Sequence, residues 1–213
     1  MSIPFLIKSK CLNTLRYFLI YKPYGMLSQF SKEGDRSGPR SATLADLDVD
    51  FPGDVYPVGR LDADSEGLLL LTNDKQLNHR LLNPKFRHNR TYYVQVDGTL
   101  TDEACRKLSE GVTISVDGKL YHTLPADARP LPEPDLPARN PPIRYRSSIP
   151  TSWLTISLHE GKNRQVRKMT AAVDFPTLRL VRWSIENLTA DGMAPGDMRE
   201  LSGAEVMQGL QLR

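Results

Sequence analysis

The chain has 213 residues, a formal net charge of +3 and a hydrophobic fraction of 39%, enough for one sizeable core or two lobes that share a sheet. No stretch approaches the ~18 consecutive apolar residues of a membrane span, and lysines follow rather than precede the apolar patch 3–7, which argues against a secretory signal. Cys11 and Cys105 lack metal-site spacing and the four histidines are scattered, which argues against a zinc or haem site and favours reduced thiols in the cytosol.

In chain order, the first half of the sequence predicts a tail followed by strands, a loop and short helices. The predicted elements are a tail (1–15), a strand (16–20), an extended segment (26–30), a loop (31–42), a helical turn (43–47), two buried strands (55–58 and 68–72) and a helix (74–82). Pro23 and Gly25 predict a turn after the first strand. Asn73 is predicted to cap the helix, and Pro84 to end it.

The second half alternates strands with fewer helices. The predicted elements are a strand (91–96), a helix opened by Thr101 and ended before Gly111, a hairpin (112–116 and 119–124), a strand (153–158), a helix (163–173) and a last long strand (177–185). Asp117-Gly118 is a favoured hairpin turn dipeptide. Residues 125–142 hold seven of the sixteen prolines, which excludes a regular helix or a central strand and predicts a long extended segment.

A parallel doubly wound fold needs a helix after nearly every strand, and this pattern does not supply one. The sequence therefore predicts an α+β fold with a mixed, mainly antiparallel central sheet and flanking helices. We predict one domain over 16–213, made of two lobes that share the sheet, at about 16–88 and 89–213.

Charge is unevenly distributed along the chain. Residues 75–90 hold five basic residues and no acid, and residues 139–168 hold seven basic residues against Glu160 alone. Residues 41–74 hold eight acids against Arg60. This segregation predicts a basic surface that faces a polyanion, and solvated faces are the alternative explanation.

The run Gly59-Arg60-Leu61-Asp62-Ala63-Asp64-Ser65-Glu66-Gly67 places an arginine and three carboxylates in one turn between apolar runs. Because charged side chains are rarely buried unless paired, this turn is a candidate functional site. A calcium loop fits poorly, since the twelfth position is Asn73 and strands flank the turn. A nucleotide-phosphate loop has no glycine pattern to support it.

Two chemistries remain for the turn. Asp62 and Asp64 can serve as an acid/base pair on a sugar, although no aromatic sugar platform lies nearby in sequence. Alternatively, Asp62 acts on a nucleotide in RNA while Arg60 and the basic segments hold phosphates. Tyr92 or Tyr93 would then supply a stacking wall for an extruded base.

Four motifs in order over about residues 16–186 resemble those of the RsuA-like family of pseudouridine synthases. They are Lys22-Pro23-Tyr24-Gly25, the Gly59–Asp74 segment, Arg90-Thr91-Tyr92 and the segment from Glu160 to Met169. The segments 140–144 and 148–154 are most similar to members that modify large-subunit ribosomal RNA. The resemblance implies the pseudouridine synthase fold.

The resemblance also implies an isomerase that detaches a uracil base, turns it and rejoins it through carbon. It implies large-subunit (23S) ribosomal RNA as the substrate, with no cofactor and no metal. Asp62 is implied as the catalytic carboxylate, either as a nucleophile at the anomeric carbon or as a base on a sugar proton. Both roles suit a carboxylate, and the sequence does not choose between them.

The resemblance assigns further site residues. Tyr92 is expected to stack on the uracil and assist catalysis, and Arg167 to pair with Asp62 and keep it ionised. The expected substrate-binding residues are Arg60, Lys22, Leu180, Arg164, Lys168 and Arg90. Arg164 and Lys168 suit phosphate contacts. Asp64 and Glu66 are left as structural or solvated, and each assigned residue also has a plain structural explanation in a core, an ion pair or a phosphate contact.

The sequence departs from the family pattern at two points. Many members begin with a separate RNA-binding domain of roughly 50 residues or more, whereas the core here begins almost at once, so RNA binding is expected from the catalytic domain. Glu186 follows Ile185 where members often have glycine. A non-catalytic RNA-binding module is the competing prediction. We further expect a monomer in the cytoplasm, without a membrane partner.

Overall fold

A computed structural model describes residues 14–31, 42–143 and 150–212. Within these ranges the strands are β1 (Tyr17–Lys22), β2 (Met26–Leu27), β3 (Ala42–Thr43), β4 (Tyr56–Pro57), β5 (Glu66–Thr72), β6 (Arg90–Asp97), β7 (Thr113–Val116), β8 (Lys119–His122), β9 (Asp127–Leu131), β10 (Thr151–Leu158), β11 (Thr177–Ile185), β12 (Leu188–Thr189) and β13 (Met198–Leu201). The helices are α1 (Lys75–Leu82), α2 (Asp102–Glu110), α3 (Gln165–Ala172) and α4 (Gly203–Gly209). The predicted α+β class is confirmed. Most of the predicted tail and of the loop over 31–42 lies outside the described residues.

One nine-stranded sheet forms the centre of the described fold. Its order is β13-β1-β5-β11-β6-β10-β9, with β12 beside β11 and β4 beside β5. The β5–β11 pair is parallel and the other pairs in this sheet are antiparallel. The predicted mixed, mainly antiparallel sheet is therefore confirmed. The parallel pair is short, with Glu66 opposite Val181 and Gly67 opposite Arg182, and it joins the two halves of the sheet.

Apolar side chains cover both faces of the strands at the centre of the sheet. All residues of β1 and β5 are buried, which explains their continuous apolar runs. Side chains of a strand alternate between faces, so Tyr17, Leu19 and Tyr21 enter one core while Phe18 and Ile20 enter another. A third core, formed by β6, β10, α2 and α3, lies under the second half of the chain.

The predicted helices form, and one of two predicted N-terminal caps is confirmed. The Thr101 side chain accepts a hydrogen bond from the Ala104 amide at the start of α2, and the helix ends before Gly111 as predicted. The predicted cap of α1 is wrong. Asp74, not Asn73, accepts from the first-turn amides, because the side-chain oxygen of Asn73 already accepts from the Arg16 backbone amide at 2.9 Å.

The predicted hairpin is confirmed as β7 and β8, with Asp117 at φ 49° and Gly118 at φ 77°. This left-handed pair is the geometry that an Asp-Gly turn favours. The proline-rich segment contributes β9, which lies at the sheet edge where Pro130 disturbs no central ladder, as predicted. Beyond β9 it continues to Pro137, whose carbonyl accepts a hydrogen bond from Arg179.

Three features differ from the sequence predictions. The strand predicted over 55–58 shrinks to β4, in which Tyr56 is exposed, although Val55 and Val58 are buried. The helix predicted from 163 begins later, because Arg164 adopts a left-handed backbone at φ 53°. The sequence did not predict β13 and α4, which pack against the first half of the chain through β1 and one of the cores.

Glu186 directly follows the last residue of β11. It adopts φ 49°, the left-handed region that glycine prefers. Its carboxylate accepts a hydrogen bond from the Asn89 amide at 2.8 Å and lies 3.2 Å from the His88 ring. The side-chain bonds thus fix a turn that the sequence had left in doubt.

None of the helices in the described ranges is long and apolar enough to cross a membrane. The division into lobes at about 16–88 and 89–213 stays a prediction.

Candidate active site

A cavity of about 810 Å³ opens where the two halves of the sheet meet. Its walls come from the turn 58–62, the connection from α1 to β6, the β10–α3 connection, and the strands β6 and β11. Asp62, Arg60, Tyr92, Leu180, Arg90 and Arg164 all line it. The structure therefore brings six of the nine predicted site residues into one cleft, although they are spread over more than a hundred residues of sequence.

Hydrogen bonds from two sides fix the turn that carries Asp62. The Ser65 amide donates to the Asp62 carbonyl at 3.0 Å and closes the turn. The Ser28 hydroxyl donates to the Leu61 carbonyl at 2.9 Å and accepts from the Leu61 amide at 3.0 Å. The Gly25 amide donates to the Ala63 carbonyl at 2.7 Å. The motif at residues 22–25 thus positions the turn and does not itself line the cleft.

Asp62 is partly exposed in the cleft, with 39% of its side chain accessible. Its Oδ2 atom lies 3.5 Å from Nη1 of Arg164. Arg164 also makes a two-pronged contact with the Asp64 carboxylate, at 2.9 and 2.8 Å. Such a two-pronged pair fixes the guanidinium plane. Asp64 therefore holds the Arg164 guanidinium in place, and this keeps its positive charge beside Asp62.

Among the described residues Arg167 makes its direct ion pair with Asp64 rather than with Asp62, whose charge acts on it from farther away. Arg167 donates from Nη2 to the backbone carbonyl of Asp64 at 2.6 Å, and its Nε lies 3.4 Å from the Asp64 carboxylate. Burial alone would raise the pKa of the Asp64 carboxyl, but the hydrogen bond from Arg164 and the charges of both arginines hold it below its usual value. Asp64, left as structural or solvated from sequence, is the centre of the ion-pair cluster.

The apolar and aromatic walls of the cleft come from neighbouring strands. Tyr92 on β6 stands opposite Arg182 on β11, and Leu180 lies two residues before Arg182 on the same face. Arg60 is exposed at the mouth. Arg90 lines the rim but donates to the backbone carbonyls of Leu81 and His88, so part of its hydrogen-bonding capacity is already used.

Two predicted substrate contacts do not reach the cleft. Lys22 is fully buried, and its ammonium donates to the carbonyls of Pro23 and Met26 at 2.8 Å each. Because these carbonyls hold the ammonium and Lys22 does not line the cavity, the structure contradicts the substrate-binding role predicted for Lys22. Lys168 lies on α3 outside the residues that line the cavity.

Two residues that line the cavity, Glu160 and Arg182, were not predicted as site residues from the sequence. The buried Glu160 carboxylate accepts from the Gln165 amide side chain at 2.6 Å and from the Leu124 backbone amide at 2.9 Å. It thereby ties α3 to the segment that follows β8. Its signal was visible as the only acid in the basic run 139–168. No comparable feature of the sequence distinguished Arg182, which also lines the cavity.

The fold is that of the pseudouridylate synthases. A solved structure described as a pseudouridylate synthase superimposes with a TM-score of 0.73 at 26% identity, covering 92% of this chain and 74% of that one. A human protein, RNA pseudouridylate synthase domain containing 1, shares the fold at a TM-score of 0.52 and 15% identity, covering 93% and 92%.

The family model for RNA pseudouridylate synthases matches residues 16–172, and the chain belongs to this family of enzymes. A ribosomal large subunit pseudouridine synthase E of Xanthomonas axonopodis pv. citri is 51% identical over 83% of this chain and 89% of that protein. The protein of the same name in Vibrio vulnificus is 45% identical over 92% and 79%. A ribosomal large subunit pseudouridine synthase B of Bacillus subtilis is 36% identical over 89% and 69%. The resemblance to RsuA-like pseudouridine synthases is confirmed.

Proposed function

We propose that this enzyme converts one uridine of large-subunit (23S) ribosomal RNA to pseudouridine, with Asp62 as the catalytic carboxylate and without a cofactor. The observation that carries the proposal is that Asp62, Tyr92 and Leu180 line one cavity whose mouth carries Arg60 and Arg164. The names of the relatives at 45–51% identity support the choice of RNA.

The cleft suits a nucleotide that has left its helix. An enzyme that acts on a base in structured RNA must first extrude it. The volume of about 810 Å³ lies within the range of ligand pockets. Exposed arginines at the mouth are suited to phosphates, and Tyr92 and Leu180 offer an aromatic and an apolar surface to the base.

Each residue then has a distinct role. Asp62 attacks the anomeric carbon or removes a sugar proton, and both steps require its carboxylate to be accessible. Its side chain is 39% exposed, and Nη1 of Arg164 lies 3.5 Å from its Oδ2. Arg167 acts indirectly, because it holds the backbone and the carboxylate of Asp64, which in turn hold Arg164. The expected monomeric state and cytoplasmic location remain predictions.

The decisive experiment compares Asp62→Asn with the wild type in a strain that lacks the protein. We expect wild-type protein to restore one pseudouridine in large-subunit ribosomal RNA and Asp62→Asn to restore none while it folds and binds RNA normally. Asp48→Asn is the matched control, because Asp48 is exposed and does not line the cavity. If Asp62→Asn restores the pseudouridine, the catalytic role of Asp62 is rejected. If the strain that lacks the protein keeps all pseudouridines of its large-subunit ribosomal RNA, that RNA is rejected as the substrate.

A further inference from the structure

Strand β11 carries two buried arginines that face opposite sides of the sheet. Arg179 is fully paired, with Nε and Nη2 each 2.9 Å from an oxygen of the buried Glu66 carboxylate. Its Nη2 also donates to the Pro137 carbonyl at 2.7 Å. This is the ordinary way in which a folded protein accommodates a buried guanidinium.

Arg182 is buried to a similar degree and lacks such a partner. It is 4% exposed, and its Nε donates to the Leu68 carbonyl at 2.7 Å. Its Nη2 has no hydrogen-bond partner, and no carboxylate lies within 4.0 Å of the guanidinium, among the residues that the structure describes. A buried charge without an acidic partner costs several kcal/mol. Burial lowers the pKa of Arg182 and the Arg90 charge lowers it further, while Tyr92, through its charge and a side-chain hydrogen bond, partly offsets the change.

The unpaired charge lies on the cavity side of the sheet. Arg182 lines the cavity together with Asp62, Tyr92 and Leu180. Tyr92 is its direct cross-strand neighbour, which places the two side chains within contact distance. Arg60 and Arg164 line an exposed part of the cavity, whereas Arg182 lines a buried part of it. A phosphate of the RNA backbone would stay near the mouth, so the group that reaches Arg182 is the extruded base.

We propose, on the basis of the function above, that Arg182 forms a binding site for the detached uracil in its anionic form. When the N1–C1′ bond breaks, its electron pair stays on the base and spreads over N1 and the two carbonyl oxygens. The guanidinium donates a hydrogen bond to one of these oxygens. When C5 attacks C1′, the pair enters the new C5–C1′ bond, and the sugar gives up either its bond to Asp62 or, with return of the 2′ proton, its C1′–C2′ double bond. A base then removes the C5 proton, and N1 takes up a proton to give the neutral ring. Arg182 exchanges no proton.

Both roles open to Asp62 produce this same anion, so the site does not depend on which one operates. Preorganised donors aimed at developing charge are among the larger contributions to catalysis, and loss of one such donor costs about 10²–10³ in rate. Arg182 is thereby assigned as a catalytic residue that contacts the leaving base.

The test uses Arg182→Met and Arg182→Gln, with Arg129→Met as control because Arg129 is exposed on the edge strand β9. The Gln variant keeps an amide that can donate to the Leu68 carbonyl if Met does not fold. In single turnover on large-subunit ribosomal RNA, we expect the Arg182 variants to be slower by about 10²–10³ with RNA affinity near that of the wild type. Arg182→Lys should recover part of the rate because it restores the charge.

A second RNA, transcribed with 5-fluorouridine, probes the charge directly. Fluorine stabilises the uracil anion, so the deficit of the variants in consuming 5-fluorouridine should shrink by about tenfold. An equal deficit on both RNAs, a rate within about threefold of the wild type, or a loss confined to RNA affinity would overturn the assignment.

A third measurement does not depend on the RNA. Calorimetry with free bases should show that the wild type prefers barbiturate, an anionic relative of uracil, over neutral uracil by about tenfold, and that Arg182→Met has lost this preference. If the wild type makes no pseudouridine, the proposed function is rejected, but the calorimetry still tests whether Arg182 binds an anionic base. An equal preference in both proteins would overturn it.

Discussion

Because the Lys22 ammonium is buried, the free energy of unfolding should depend on pH, and the size of this dependence follows from the structure. The side chain has no exposed surface, and no ion pair includes it in the described ranges. Burial lowers the pKa of Lys22 from 10.5 to about 7, although Glu66 and Asp64 at longer range oppose the change. The folded state therefore holds this proton less tightly than the unfolded chain.

The sign and size follow from proton linkage. Between the two pKa values the unfolded chain binds more protons than the native state, so the free energy of unfolding rises with pH. The cost of burying the charged lysine is about 5 kcal/mol below pH 7, and it disappears as the pH approaches 10.5. Between pH 7 and pH 9 the relief amounts to roughly 2 kcal/mol.

Urea unfolding at pH 7, 8 and 9 measures this effect in the wild type, in Lys22→Met and in the exposed control Lys75→Met. We expect the wild type to gain roughly 2 kcal/mol relative to Lys22→Met over this range, and Lys75→Met to follow the wild type. The absolute stability of Lys22→Met is not diagnostic, since its loss leaves two carbonyls without a donor. A difference curve that stays flat from pH 7 to pH 9 would refute the reasoning.

Three further predictions follow from contacts at the junction of the sheet. Glu66→Gln should lose about 3–5 kcal/mol of stability in urea unfolding, because it leaves Arg179 buried without its partner, whereas a double change of both residues to Met should recover most of it; a loss near zero would contradict this. Gly67→Ala should prevent stable folding, since φ is +100° and a Cβ would overlap the backbone of β11; Gly118→Ala, in open space, should cost only about 1 kcal/mol in the same assay. Arg164→Ala should weaken RNA binding and reduce the salt slope by about one unit, and an unchanged slope in filter binding would remove it from the phosphate contacts.

Local signals in the sequence predicted the elements that local physics determines. Thr101 and Gly111 bound α2, and Asp117-Gly118 makes the hairpin turn, because caps and turns depend on residues within a few positions of each other. The strand β13 was not predicted, since it is short, carries polar residues and is held by its pairing with β1 far away in sequence. Asn73 and Asp74 are equally good caps by residue type, and they differ in the fold because the Asn73 side-chain oxygen accepts from the distant Arg16 amide.

In the site, too, the sequence predicted which residues lie together but not the contacts that depend on the tertiary structure. The family motifs brought Asp62, Tyr92 and Leu180 into one cleft, which the structure supports by their common lining. The sequence did not predict which acidic side chain each basic side chain of the site contacts. Asp62 and Asp64 differ by two positions, and only the folded structure shows that Asp64 receives the two-pronged contact of Arg164. Lys22 resembles a phosphate ligand by residue type, yet the turn it stabilises encloses it.

The two arginines of β11 show why an unpaired charge arises at the cleft. Their positions differ by three, so alternation places them on opposite faces whatever the rest of the chain does. The parallel pairing of β5 with β11 then sets Glu66 opposite Val181, whose side chain shares the face of Arg179. The same register sets Gly67 opposite Arg182, so the β5 residue directly opposite that guanidinium contributes no side chain, and glycine is required there by the close backbone approach. The topology that neutralises one arginine thus leaves the other to be neutralised by a ligand in the cavity.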